Sequence, residues 1–94
     1  MVTVHQDNCP LCNTTAEFDY IDRHNGQYFD CECCKDILAT RRAMREPIPE
    51  GKRHEWSKLS ASLNDGQFLF IDYVQHEHKE NIESKSNLPK FGVN

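Results

Sequence analysis

Two short stretches, Cys9-Pro10-Leu11-Cys12 and Cys31-Glu32-Cys33-Cys34, decide how this chain folds. Each contains two thiols separated by two residues, and 18 residues lie between the two stretches. Paired Cys-x2-Cys turns at this separation are typical of a tetrahedral zinc site, because each turn chelates the ion with two thiolates. The spacing therefore predicts one structural zinc ion, with four ligands: Cys9, Cys12, Cys31 and Cys34.

The composition indicates why such a chain needs a metal. It has 94 residues, of which only 37% are hydrophobic. A core of this size barely offsets the entropy lost on ordering the chain, whereas a structural zinc site contributes on the order of 10 kcal/mol apparent. Four thiolates leave no open coordination position, so we expect the ion to stabilise the fold and not to catalyse a reaction.

The number and context of the cysteines favour metal binding over disulfides. There are five of them, an odd number, and the opening residues MVTVHQDN carry no basic, apolar secretion signal. We therefore expect a reducing, cytoplasmic location, and no segment has the roughly 20 apolar residues of a membrane helix. Cys33 is expected to be a spare thiol pointing away from the metal. It has two alternative roles, as a ligand in place of Cys34 or as a redox thiol.

The residues between and after the cysteine pairs predict the secondary structure. Alternation over residues 16–22 and 27–30 favours two strands, with the turn at His24-Asn25-Gly26. Short strands are also expected at residues 2–4 and 36–39. Thr40 is a candidate N-cap for a helix over 41–45. A second helix fits 51–63, and 68–74 has the aromatic and β-branched residues of a buried strand.

The predicted fold class is therefore small α+β, a zinc-ribbon β-hairpin followed by two short helices and a further β-strand. Residues 1–74 would form this domain. Residues 75–94 are polar and poor in large apolar side chains, so we expect a mobile C-terminal tail or a segment that is ordered only by a partner.

Charge is unevenly distributed along the chain, whose net charge is −4. Residues 38–58 carry six basic and three acidic side chains, whereas the segments on both sides are net acidic. A solvated helix face is the ordinary explanation for such a run of charge. As a binding surface, it would comprise Arg41, Arg42, Arg45, Lys52, Arg53 and Trp56. For Trp56 a core anchor is the favoured interpretation, and an exposed aromatic contact is the alternative. We expect a protein partner, and the alternative is nucleic acid bound through residues 41–58.

The sequence offers little for catalysis, and we expect no enzyme. An HNH-like nuclease would need a second histidine before Asp22-Arg23-His24 and a longer spacing to Cys31. A thiol redox motif at Cys9-Pro10-Leu11-Cys12 would need to open a helix, which Asn13-Thr14-Thr15 does not favour. His76 and His78 could face one side of an extended segment, but a solvated tail is the favoured interpretation.

The same residues carry a resemblance. The two cysteine pairs, the hairpin between them, Thr40-x2-Ala43 and Lys58-Leu-Ser-Ala-Ser-Leu63 resemble a small zinc-ribbon module of bacterial and phage proteins. The chain departs from that module at Asn13 and Lys35, where glycine is usual, and at Glu32, where proline is common. The resemblance implies a zinc-ribbon fold and a cytoplasmic context, and it adds no catalytic residue.

These expectations combine into one function. The chain would be a small zinc-stabilised binding protein, a protein-interaction or regulatory module of bacterial or phage origin. Its short length and acidic net charge suggest, as one version, an inhibitor that occupies a larger complex.

Overall fold

The computed structural model describes residues 5–21 and 25–91. The helices and strands follow the chain in this order: β1 His5–Asn8, β2 Thr15–Ile21, β3 Gly26–Cys31, β4 Lys35–Thr40, α1 Arg41–Arg45, α2 Glu50–Ala61, β5 Gln67–Val74, β6 Glu77–Ser84 and a 3-10 helix over Lys85–Phe91. The described residues are thus mostly β-sheet with short helices, in agreement with a small α+β class.

All six strands belong to one sheet, in the order β1-β2-β3-β4-β5-β6. Neighbours are antiparallel except β4 and β5, which run parallel with Ile37 opposite Leu69. Parallel neighbours need a crossover between them, and α1 and α2 form that crossover. The sheet has two ends along the direction of its strands. One end carries both cysteine stretches, and the other carries α1.

Strand alternation divides the apolar residues between the two faces of the sheet. The larger core, on the helix side, includes Phe29, Ile37, Leu69 and Ile71, all fully buried. Trp56 of α2 is 5% exposed and packs into this core. The opposite face has a smaller cluster: Ile21, Leu38 and Phe68, with Leu88 of the 3-10 helix packed against it.

Several local predictions are confirmed. The first helix covers the predicted residues 41–45, and the amide of Ala43 donates a hydrogen bond of 3.2 Å to the Thr40 side chain, as an N-cap requires. The second helix begins one residue earlier than predicted and ends at Ala61. The predicted strand over 68–74 is β5.

The predicted layout differs from the structure. The expected zinc-ribbon hairpin corresponds to β2 and β3, but these are two of six strands, and the helices lie inside a crossover within the same sheet. The physical reason lies in β4, whose Ile37, Leu38 and Ala39 are fully buried. A strand buried on both faces needs partners on both edges, which β3 and β5 provide.

The expected tail over residues 75–94 is also corrected, since Glu77–Ser84 form β6. Every residue of β6 pairs with a residue of β5, from Val74 opposite Glu77 to Gln67 opposite Ser84. Backbone hydrogen bonds hold an edge strand without a continuous apolar face, so the polar side chains were misleading. The domain boundary expected after residue 74 falls inside this β5–β6 hairpin.

The hairpin predicted from residues 16–22 and 27–30 is present as β2 and β3, with Ile21 opposite Gly26. A Cβ at Gly26 would approach the Ile21 side chain to 3.0 Å, so a larger residue there requires that side chain to shift. A two-residue turn with positive φ at both positions, which was not predicted, lies at Gln75 (54°) and His76 (65°), between β5 and β6. His24 of the predicted turn, Asp22 of the predicted strand and the predicted strand at residues 2–4 lie outside the described residues.

Candidate metal centre and basic surface

The two cysteine stretches form turns at the same end of the sheet, one between β1 and β2 and the other between β3 and β4. In the first turn, the amide of Asn13 donates to the carbonyl of Cys9 at 2.9 Å. Asn13 has a φ of 62° and Lys35 a φ of 63°, which is the left-handed conformation. The zinc-ribbon module that the sequence resembles has glycine at these two positions. Asn13 and Lys35 adopt the same left-handed backbone conformation without being glycine.

Four sulfur atoms from these turns lie within 4.8 Å of one another, those of Cys9, Cys12, Cys31 and Cys34. The Sγ atoms of Cys12 and Cys31 are 3.4 Å apart. Zinc–sulfur bonds of about 2.3 Å in a tetrahedron place sulfurs about 3.8 Å apart, so the cluster has the right size for the ion. The four thiols therefore fit a metal-binding site.

The pKa values of three of these thiols indicate that the cluster needs a cation before all four can ionise. A hydrogen bond with Cys34, together with burial, raises the pKa of Cys9, and burial raises the pKa of Cys31 to about 11. Burial acts to raise the pKa of Cys12 as well, but hydrogen bonds from Thr14 outweigh it and lower that pKa to about 6. Four thiolates this close repel one another, and a divalent metal supplies the charge that permits all of them to ionise.

Helix α2 contacts the cluster through two serines. The Ser57 hydroxyl lies 3.0 Å from the Cys34 sulfur, and the Ser60 hydroxyl donates to the Cys34 carbonyl. A hydroxyl facing a thiolate donates its proton to the sulfur, so Ser57 orients the ligand as partners around metal sites do. The prediction missed both roles, although two serines three residues apart on one helix face were a signal for them.

Cys33 lies outside the cluster. It is exposed, whereas Cys34 is fully buried among the other three thiols. This placement fits a spare thiol and not a ligand that replaces Cys34.

The six predicted partner residues do not form one surface. Arg41, Arg42 and Arg45 are exposed and line a cavity of about 500 Å³ at the end of the sheet away from the thiols. Arg42 is paired there with Asp72, at 3.1 Å between Nη2 and Oδ2.

The other three residues are on α2, where each is buried or half-buried. Trp56 is buried in the core. Lys52 donates to the His78 carbonyl at 3.0 Å and lies 5.6 Å from the centroid of the Trp56 ring. Arg53 is half-buried and lines a separate cavity of about 290 Å³ together with Cys9.

His78 has a structural role that the prediction missed. It is 4% exposed, and its Nε2 is 3.1 Å from the carbonyl oxygens of both Ala43 and Glu46. Carbonyls only accept, so Nε2 carries the proton and ties β6 to the end of α1. His76 is exposed in the turn, whereas the His78 ring is buried with its Nε2 bonded to backbone carbonyls, so the two imidazoles do not share one solvated side.

The longest helix in the described ranges is α2, with 12 residues. None of the helices found there has the length and apolar character to cross a membrane. Comparisons of the chain with protein-family models, with curated proteins and with solved structures found no match.

Proposed function

We propose that this chain is a small binding protein whose fold is stabilised by one structural zinc ion and whose partner is another protein. The observation that carries the proposal is the group of four sulfurs within 4.8 Å. An all-thiolate tetrahedral site selects zinc or iron among the common metals, and zinc is the usual structural ion. The ligands would be Cys9, Cys12, Cys31 and Cys34.

The closed character of the site supports a structural role. Four thiolates complete the coordination of zinc, and three of these four residues are buried, so water and substrate have no position on the metal. The contact with the Ser57 hydroxyl also holds the Cys34 side chain in its position. With no open position on the metal, we propose a binding function without catalysis. The free thiols suit a reducing compartment such as the cytoplasm.

The end of the sheet that carries α1 is the proposed partner surface. Arg41 and Arg45 are exposed there, and Val74 at the end of β5 is 38% exposed. Arginine is enriched where protein interfaces concentrate their binding energy. The combination suits a partner with an acidic surface and apolar side chains, as in a regulatory or inhibitory complex.

A nucleic-acid partner is the less favoured alternative. The basic residues of segment 41–58 are divided between three exposed arginines on α1 and three residues on α2, of which Lys52 and Arg53 are half-buried and Lys58 is exposed. They therefore do not form the continuous basic groove that a polyanion follows, and the net charge of −4 opposes its approach.

Elemental analysis and a thiol count test the metal part of the proposal. The purified protein should contain one zinc per chain, with Cys33 as the single thiol that reacts rapidly under native conditions. A strong chelator should release the ion and unfold the protein, because metal binding and folding are coupled. Five rapidly reacting thiols and no metal would contradict the proposal.

Charge reversal tests the partner surface. Arg41→Glu with Arg45→Glu should weaken a captured protein partner by roughly 1–3 kcal/mol, the scale of a few charge-assisted contacts, while zinc content and melting stay unchanged. Arg45→Glu alone against Lys58→Glu alone is the matched comparison, since both side chains are exposed, both changes alter the net charge equally, and Lys58 lies on α2 outside the proposed surface. Equal binding by these single variants, the double variant and the wild type would remove the α1 surface from the proposal.

A further inference from the structure

The cavity beside α1, called here the arginine cavity, has an unusual balance of charge. Its volume is about 500 Å³, and its charged lining residues are all cationic: Arg41, Arg42, Arg45 and Lys90. This concentration occurs in a chain whose net charge is −4. The cavity is therefore a local site for anions on an otherwise acidic protein.

Only one of these four cations is neutralised within the described residues. Asp72 accepts hydrogen bonds from Thr40 at 2.7 Å and from its own neighbour Tyr73 at 2.8 Å, and its other oxygen pairs with Arg42. Its carboxylate is thus fully engaged. Across residues 5–21 and 25–91, no ion pair involves Arg41, Arg45 or Lys90. Three positive charges meet at one cavity without a protein anion.

The shape and the remaining lining residues narrow the chemistry of the ligand. A cavity of this volume is in the range that holds small organic molecules. Guanidinium groups match phosphate oxygens in a bidentate fork, which makes arginine the preferred side chain for phosphate recognition. Ile21 and Phe70 add an apolar part to the lining, which a bare inorganic ion would leave unused.

We infer that the arginine cavity binds a small organic phosphate of nucleotide size. Its phosphate would lie among Arg41, Arg45 and Lys90, and its organic body would contact Ile21 and Phe70. The inference goes beyond the proposed function, with which it shares only the arginines of α1. It requires no protein partner.

A small phosphate fits these observations better than a nucleic-acid strand does. The four cations are gathered around one cavity, whereas a strand needs basic and aromatic side chains spread along several nucleotides. The net negative charge acts on every phosphate of a polymer but on only one or two phosphates of a small ligand. The geometry thus favours a single compact anion.

Calorimetric titration of the purified, metal-loaded full chain tests the inference with ADP as the probe. ADP should bind at least tenfold more tightly than adenosine, because adenosine lacks the group that the cations recognise. It should also bind more tightly than inorganic phosphate, which lacks an organic body. Arg45→Glu should weaken ADP binding at least tenfold. Lys58→Glu, an equal charge change outside the cavity, should change it less than twofold.

The opposite results would overturn the inference. These are no ADP binding at millimolar concentration, equal affinity for adenosine, equal loss in both variants, or tighter binding of a 12-nucleotide single strand than of ADP. The measurement uses the chain alone with its metal content already determined. A negative result therefore leaves the zinc site and the protein partner standing, and loss of the partner leaves an ADP result unchanged.

Discussion

The two ends of the sheet are built in opposite ways. At the thiol end, each cysteine pair comes from one turn, and the two turns meet because β2 and β3 are adjacent antiparallel strands. At the arginine end, the cavity draws residues from β2, β3, β4, α1, β5 and the 3-10 helix. The first end is a product of local sequence, and the second exists only when the whole sheet has assembled.

The two ends also differ in what their residues contribute to stability. The thiols are mostly buried and would share a metal, whose loss removes much of the folding free energy. The arginines are exposed, and exposed ion pairs contribute about 0–1 kcal/mol. Substitutions at the thiol end should therefore unfold the protein, whereas the arginine side chains can change with little effect on folding. This difference makes the arginine end the better candidate for the surface that binds a partner or ligand.

The largest effect is expected at the thiol end. Cys34→Ser removes a buried ligand, so the protein should lose its metal and unfold, a change on the order of 10 kcal/mol apparent. Circular dichroism and metal analysis measure both results. Cys33→Ser is the matched control one residue away and should leave both unchanged. A folded, metal-containing Cys34→Ser protein would show that the thiol end does not hold the fold.

The next effect concerns the connection between β6 and α1. His78→Ala leaves the carbonyls of Ala43 and Glu46 without their donor and opens a cavity, so it should destabilise the protein by about 2–4 kcal/mol. Metal content should not change, because His78 is remote from the thiol end. Urea unfolding measures the loss, with exposed His54→Ala as the control. A change in unfolding free energy below about 0.5 kcal/mol would indicate that residues 77–84 do not pack on the domain and behave as a tail.

A smaller effect is expected at the start of α1. Thr40 caps this helix and also donates to Asp72, so Thr40→Ala should cost about 1–2 kcal/mol and displace the arginines. Thr40→Ser keeps the hydroxyl and should retain most of the stability. Thermal unfolding of the two variants at constant metal content gives the comparison. Equal melting temperatures would show that the cap does not support the arginine end.

The smallest effect tests the backbone at the thiol end. Asn13 has a φ of 62°, which alanine adopts at a cost of roughly 1–2 kcal/mol and glycine adopts freely. Asn13→Ala should therefore destabilise the protein by about 1 kcal/mol, and Asn13→Gly should stay within about 0.5 kcal/mol of the wild type. Denaturant unfolding of the metal-loaded proteins separates them. If Asn13→Ala is as stable as Asn13→Gly, the turn does not hold the left-handed conformation in solution.

The sequence by itself determined the features that depend on neighbours along the chain. The four clustered cysteines follow from their spacing, since a two-residue separation brings two sulfurs together within one turn. The N-cap at Thr40 and the position of β5 follow from residue types within a few positions of each other. Each of these is a short-range property, and short-range contacts need no knowledge of the remaining chain.

Only the tertiary structure decided the parallel pairing of β4 with β5, the strand at residues 77–84 and the separation of the basic residues into two groups. These depend on contacts between distant positions, such as Ser57 with Cys34 and His78 with Ala43. The polarity of β6 hid its pairing because backbone groups form the hydrogen bonds. Lys52 is not part of the predicted surface because the crossover places α2 against the sheet, and the same packing makes Trp56 a core residue, its favoured interpretation. The sequence shows which side chains are charged and could contact a partner, but tertiary packing decides which of them stay exposed to do so.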